Sequence, residues 1–249
     1  KAIEDGNAEA LELFNWFKEL TLRDAKPVYD LLGVQFDSYN GESFYVDKTD
    51  RVVEELREKN LLTISDGASV VDLDEEKSGM PPCLILKKDG TTIYTTRDIA
   101  AALYRKETYD FDKCLYVVAY QQDLHFRQWF KVIEKMGYPW YKDLVHVAFG
   151  MISYKGQSLS TRKGHVLFLE DVLNMAIEKA RAIIEEKSPN LENKDEVARQ
   201  VGVGAVVYAD LQNSRIKDID FSWDRVLRRR DRPLRAVYPR PLLQRAAEG

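Results

Sequence analysis

Tyr94 and Asp98 stand four residues apart, a phenol and a carboxylate one helical turn from each other. That combination suits a planar cation such as guanidinium. The carboxylate accepts paired N–H bonds, and the ring offers a stacking face or its hydroxyl. A plainer role fits the same pair: Asp98 favours a helix N-terminus and Tyr94 packs in a core. Gln121, Gln122, Asp123, His125 and Gln128 form a second polar cluster. In it, Gln122 is placed to hydrogen-bond a small polar substrate; the alternative is capping by Asp123 with His125 exposed. The third concentration is Ser160, Thr161, Arg162, Lys163 and Gly164. A small basic loop with hydroxyls can turn backbone N–H groups and cationic side chains toward phosphate oxygens. A Lys that closes on them during a reaction would stabilise charge spreading over a leaving pyrophosphate. A solvated turn has the same composition. No His, Cys or carboxylate spacing suggests a metal site, and Walker A, GxGxxG and GxSxG strings are absent.

Particular elements must position these groups. Thr95 or Thr96 as a cap predicts a helix to about residue 106. Residues 114–120, CLYVVAY, read as a strand covered on both faces of a parallel sheet. The polar cluster sits where that strand ends and a helix over about 124–136 begins. In open α/β sheets, ligands collect outside the carboxyl ends of strands, near helix N-termini. Residues 144–149, LVHVAF, supply a further strand, so the succession strand–helix–strand–helix–strand implies a parallel sheet. Residues 150–164 read as a polar loop with three Gly and three Lys or Arg.

On the N-terminal side, Asn7 caps an expected helix with Ala8, Leu11, Phe14, Phe17 and Leu20 on its apolar stripe. A second helix over 22–32 is kinked or delayed by Pro27 and ends at Gly33. Short strands at 34–36 and 43–45 flank the Asn40-Gly41 turn, followed by a charged helix over 46–59. Strands at 61–65, 68–73 and 83–87 follow, with turns at Asp66-Gly67 and Asp89-Gly90. Beyond residue 167 the pattern becomes long helices over 170–187 and 194–213, the second with two glycines that suit close helix packing, and Ser222 caps a short helix from Trp223.

The chain has 249 residues, a formal charge of −4 and no apolar run of membrane-spanning length. Cys83 and Cys114 lie singly in apolar runs, the pattern of reduced, buried thiols in a cytoplasmic protein. The opening KAIEDGNAEA reads as neither signal nor transit peptide, and without Met it is not taken as a natural N-terminus. Residues 228–249 hold seven Arg against Asp231 and Glu248, while the rest of the chain carries 30 cations and 39 anions.

Five blocks, in order, resemble the arginyl-tRNA synthetases, a family of class I aminoacyl-tRNA synthetases. They are GESFY at 41–45, YTTRD at 94–98, YVVAYQQDLHFRQ at 116–128, HVAFGM at 146–151 and LSTRKG at 159–164. The resemblance covers about residues 1–227 and implies an α/β fold, the second half of a Rossmann-like nucleotide-binding parallel sheet. Residues 1–88 would be an α+β insertion, 89–165 the second catalytic half and 166–227 the start of the helical, anticodon-side region. The implied activity is ATP-dependent conversion of L-arginine to arginyl-adenylate and its transfer to tRNA(Arg), in the cytoplasm, by an enzyme monomeric at full length. By the same resemblance, Tyr94 and Asp98 hold the guanidinium and Gln122 orients the amino acid. His146, Phe149, Gly150 and Met151 match the segment where adenine sits. Ser160, Thr161, Arg162 and Lys163 match the KMSKS loop that binds ATP, with Lys163 and Ser160 catalytic, although Leu159 stands where Met is usual. Mg²⁺ would come with ATP, with no protein-bound metal. The family's HIGH motif is absent, so the chain reads as an internal fragment, inactive alone. The alternative is an arginine- or RNA-binding protein without ligase activity. After residue 227 the sequence departs from the family. Residues 227–241, LRRRDRPLRAVYPRP, match a typical NFDGETGPYVQYTHARA block read two bases out of phase, so the tail is expected to be frameshifted translation without a selected partner.

Overall fold

The computed structural model of the chain describes residues 6–74, 79–154, 156–159 and 166–223. By packing, the chain divides into two compact units, one of residues 36–149 and one of residues 1–35 with 150–249.

The second of these begins with α1 (Ala8–Leu32). Asn7 caps it as expected, its side chain accepting a hydrogen bond from Ala10 N at 2.9 Å. Gly33 ends it at φ 69°, a left-handed turn that glycine adopts without strain. The two helices expected here are one, and Pro27 delays no helix start: α1 runs through it. Proline there removes a single N–H, and the apolar stripe continues on both sides.

Unit 36–149 opens with another correction. Residues 34–41 form no strand, and Glu42–Lys48 is a 3-10 helix ending in α2 (Thr49–Glu58). Thr49, Val52, Val53 and Leu56 recur at three- and four-residue spacing and are all buried, packed toward α3 (Tyr94–Tyr109). Then β1 (Leu62–Ser65), β2 (Ala68–Val71) and β3 (Cys83–Leu86) make an antiparallel sheet. Asp66 and Gly67, both at positive φ, turn β1 into β2. Cys83 is buried, as its apolar run implies.

Strand β3 is therefore not part of the parallel sheet. That sheet is β4 (Cys114–Ala119) and β5 (Leu144–Phe149), in register from Cys114↔Leu144 to Ala119↔Phe149 and joined through α4 (Asp123–Lys135). Phe126, Trp129, Val132 and Ile133 bury one face of α4. β4 is not covered on both faces: Leu115 and Val117 are 60% and 65% exposed.

In the other unit, the stretch expected as a polar loop carries β6 (Ile152–Tyr154) and β7 (Gln157–Ser158), turned at Gly156. Helices α5 (Leu169–Lys187) and α6 (Lys194–Leu211) follow, then β8 (Ile219–Phe221), which sequence reading did not foresee and which pairs in parallel with β6. A Cβ on Gly202 would lie 2.6 Å from the Ile177 backbone, so the helices cross as closely as the glycines suggested. Among the described residues, no helix is long and apolar enough to cross a membrane.

Candidate functional site

The first turn of α3 sets the site. Neither Thr95 nor Thr96 is its cap; that position is Ile93, and both threonines are buried. Thr96 Oγ1 donates to Ile85 O of β3 at 2.5 Å, which anchors the helix start on the antiparallel sheet. With 95, 96, 99 and 100 turned inward, 94 and 98 share the opposite face. Tyr94 is 52% exposed and the Asp98 side chain 38%. Between them in the helix, Arg97 donates to Glu42 at 2.7 Å and ties the GESFY block to this turn.

Helix α4 reaches the same turn through His125. Its Nε2 lies 2.7 Å from Asp98 Oδ2 and its ring 4.8 Å from that of Tyr94. An ionised carboxylate only accepts, so Nε2 carries the proton it shares. Of the two readings the sequence left open for this cluster, the one that exposes His125 does not hold: its side chain is 11% exposed. No sequence signal pairs it with Asp98, because 27 positions separate them.

The polar cluster at the start of α4 is split by the fold. Gln122 is exposed at the helix N-cap position, its side chain making no capping bond. Gln128 donates to the carbonyls of Pro81 and Pro82 at 2.9 and 3.2 Å and so fastens the chain entering β3. Asp123 Oδ1 is 3.5 Å from His146 Nδ1, with no hydrogen bond made. His146 donates through Nε2 to Val118 O at 3.0 Å and stacks on Phe126 at 4.2 Å. At 7% side-chain exposure it sits inside its unit, away from solvent.

Phe149 ends β5 and is 38% exposed. Gly150 and Met151 begin the other unit and are fixed there by residues 215–219. Gly150 N donates to Arg215 O, Met151 N to Asp218 Oδ1 and Ile219 N to Met151 O, at 2.7–2.8 Å. A Cβ on Gly150 would fall 2.2 Å from Lys217 O, so no other residue fits without moving that backbone. Ser160, Thr161, Arg162 and Lys163, like the tail 228–249, lie outside the described residues. A cavity of about 470 Å³ in the same unit, lined by Leu167, Val172, Val206 and Phe221, holds none of the sequence-predicted site residues among the described ones. Among the described residues, no group of three His, Cys, Asp or Glu is arranged to hold a metal ion.

A family model described as tRNA synthetases class I (R), catalytic domain, matches residues 1–223. The chain belongs to this family. Its sequence is 61% identical to the arginine–tRNA ligase of Clostridioides difficile over 225 residues, 90% of this chain and 39% of that protein. To the arginine–tRNA ligase of Alkaliphilus metalliredigens it is 58% identical over 222 residues, 89% of this chain and again 39% of the relative. This family member therefore spans about two fifths of the length of the curated relatives it matches. Among solved structures, the arginyl-tRNA synthetase of Plasmodium falciparum superposes with a TM-score of 0.79 at 24% identity, covering 94% of this chain and 40% of that one. That of Thermus thermophilus gives 0.76 at 22%, covering 91% and 43%. The mixed α/β fold with its parallel β4–β5 pair is thus that of class I arginyl-tRNA synthetases over this span.

Proposed function

We propose that the chain is the arginine-recognising central segment of an arginine–tRNA ligase. The observation that carries this reading is the open carboxylate and phenol on one face of α3, with Asp98 backed by His125. An exposed carboxylate with a ring beside it is a receptor for a guanidinium, which brings parallel N–H donors and a flat face. Gln122, exposed at the start of α4, the helix that carries His125, orients the amino acid's polar end.

The reaction then runs in two steps. The arginine carboxylate attacks the α-phosphate of ATP and pyrophosphate leaves; the adenylate passes to the terminal ribose of tRNA(Arg). ATP enters as its Mg²⁺ complex. The 146–151 segment takes the adenine, largely through backbone groups. Ser160, Thr161, Arg162 and Lys163 hold the phosphates, and Lys163 meets the charge that grows on the leaving group. Positioning and charge stabilisation supply the rate, with no covalent enzyme intermediate. In this reading residues 1–88, 89–165 and 166–227 are insertion, catalytic half and helical stem, the enzyme is a cytoplasmic monomer at full length, and residues 228–249 have no role.

The test is arginine-dependent ATP–pyrophosphate exchange, with tRNA present, by a full-length ligase bearing this segment. Asp98→Ala should cost about 1.5–3 kcal/mol in kcat/KM for arginine, the usual worth of a hydrogen bond to a charged group, and leave the KM for ATP alone. An unchanged arginine dependence removes Asp98 from the site and the reading with it. The segment by itself should show no exchange.

A further inference from the structure

Burial around the α3 turn is graded in a way the proposed arginine site does not by itself require. The Tyr94 ring and Asp98 carboxylate face solvent, while the His125 side chain behind them is 11% exposed. His125 touches both: 2.7 Å from Nε2 to Asp98 Oδ2, and 4.8 Å between ring centroids to Tyr94. Its own ring is steadied by Phe126, 5.5 Å away in the buried face of α4. We propose that His125 is a positioning residue: it fixes the carboxylate plane of Asp98 and the tilt of Tyr94 so that a guanidinium meets both in a ready geometry. This rests on Asp98 being the guanidinium receptor.

A carboxylate has about four acceptor positions, and the His125 N–H takes one on Oδ2. Oδ1 accepts no hydrogen bond from the described residues, and the side chain is 38% exposed, so acceptor positions remain for a ligand. Without His125, Asp98 on the exposed face of a helix would turn among rotamers, and bidentate recognition depends on a fixed plane. The imidazole lies behind the carboxylate and does not itself meet the ligand, so its removal should weaken arginine recognition through Asp98 and through nothing else.

The experiment uses the full-length ligase bearing this segment, with L-arginine and ATP varied separately in pyrophosphate exchange. His125→Phe keeps a ring beside Tyr94 and loses the N–H; the KM for arginine should rise about tenfold, with the KM for ATP unchanged. His125→Gln, whose amide N–H reaches the Nε2 position, should restore the arginine KM to within about threefold. His125→Asn, one bond short, keeps a polar group there and should behave like the Phe variant, which covers the case in which Phe fails to fold. Adding His125→Phe to Asp98→Asn should cost little more than Asp98→Asn alone, because the two act as one unit. If Asp98→Asn leaves arginine use intact, the site reading itself falls. If Asp98→Asn matters but the Phe and Asn variants keep the wild-type arginine KM, or His125→Phe adds its full factor on top of Asp98→Asn, the positioning role is overturned.

Discussion

Cys83 lies 2% exposed in β3, and burial pushes its thiol up from 9.0 to about 12. Tyr138 moves the same way, from 10.0 to about 12, through burial and the hydrogen bond its phenol donates to Glu55 at 2.8 Å. Both groups hold protons in the fold that the unfolded chain gives up earlier. Between pH 9 and 12 the native state therefore binds more protons, and stability falls as pH rises through that window. Cys83→Ala should lose about 1–2 kcal/mol of stability at pH 8 from the vacated packing space, yet fall less steeply than wild type between pH 8 and 10.5. Denaturant melts at the two pH values measure both effects; identical slopes would mean that the thiol is not linked to folding. By type and spacing alone, Asp98 and Tyr94 suit a guanidinium receptor or a plain helix start, and only the family resemblance favours the first; Cys83 is read as buried from its apolar neighbours, and it is. The role of His125 is not legible in this way, because its partner is on another helix and a hydrogen bond between distant positions leaves no local pattern.

At the level of elements, α5 and α6 depend on a seam of small residues. Ala176, Ala180, Ala198 and Ala205 are buried, and Gly202 sits against the backbone of Ala176 and Ile177. Helix propensity alone says that Gly202→Ala should stabilise α6 by about 1 kcal/mol. The added methyl would lie 2.6 Å from Ile177 Cα, and overpacking of that kind costs about 1–3 kcal/mol. The net expectation is a lower melting temperature for Gly202→Ala; a higher one would show that the helices separate freely. These helices, with α2, α4, β1, β2, β3, β4 and β5, were legible because each has a clear period of apolar residues. The misses have more than one cause. β8 and its parallel pairing with β6 depend on positions far apart in the chain, and α1 continues through Pro27 because a helix can lose one hydrogen bond; neither alters a local pattern.

At the scale of the whole chain, the parallel β4–β5 pair leaves an apolar face open. Leu115 and Val117 pair in register with Val145 and Val147, so these side chains share one side of the sheet, and the two on β4 are more than half exposed. Parallel strands with near-continuous apolar sequences are ordinarily covered on both sides. The chain as it stands should therefore associate through this face. Val117→Thr with Leu115→Gln should reduce concentration-dependent light scattering while shifting stability by no more than about 1 kcal/mol, since surface changes away from packed contacts are small. Unchanged scattering would place the self-association elsewhere, with Leu13, Trp16 and Phe17 of α1, each more than half exposed, as the next surface to alter.

The sequence by itself determined the family, through five ordered blocks, and with it the α/β class, because apolar periodicity and turn residues act over a few positions and are written locally. It also offered side chains whose chemistry suits a guanidinium and phosphates. Only the tertiary structure decided what stands behind them. It turned Thr96 to the Ile85 carbonyl and sent Gln128 to the Pro81 and Pro82 carbonyls. It laid His146 on Phe126 and brought His125 from α4 to Asp98 on α3. Those outcomes depend on the packing of one helix against another, where a rotation of one residue changes which group is inward, and no spacing along the chain records that.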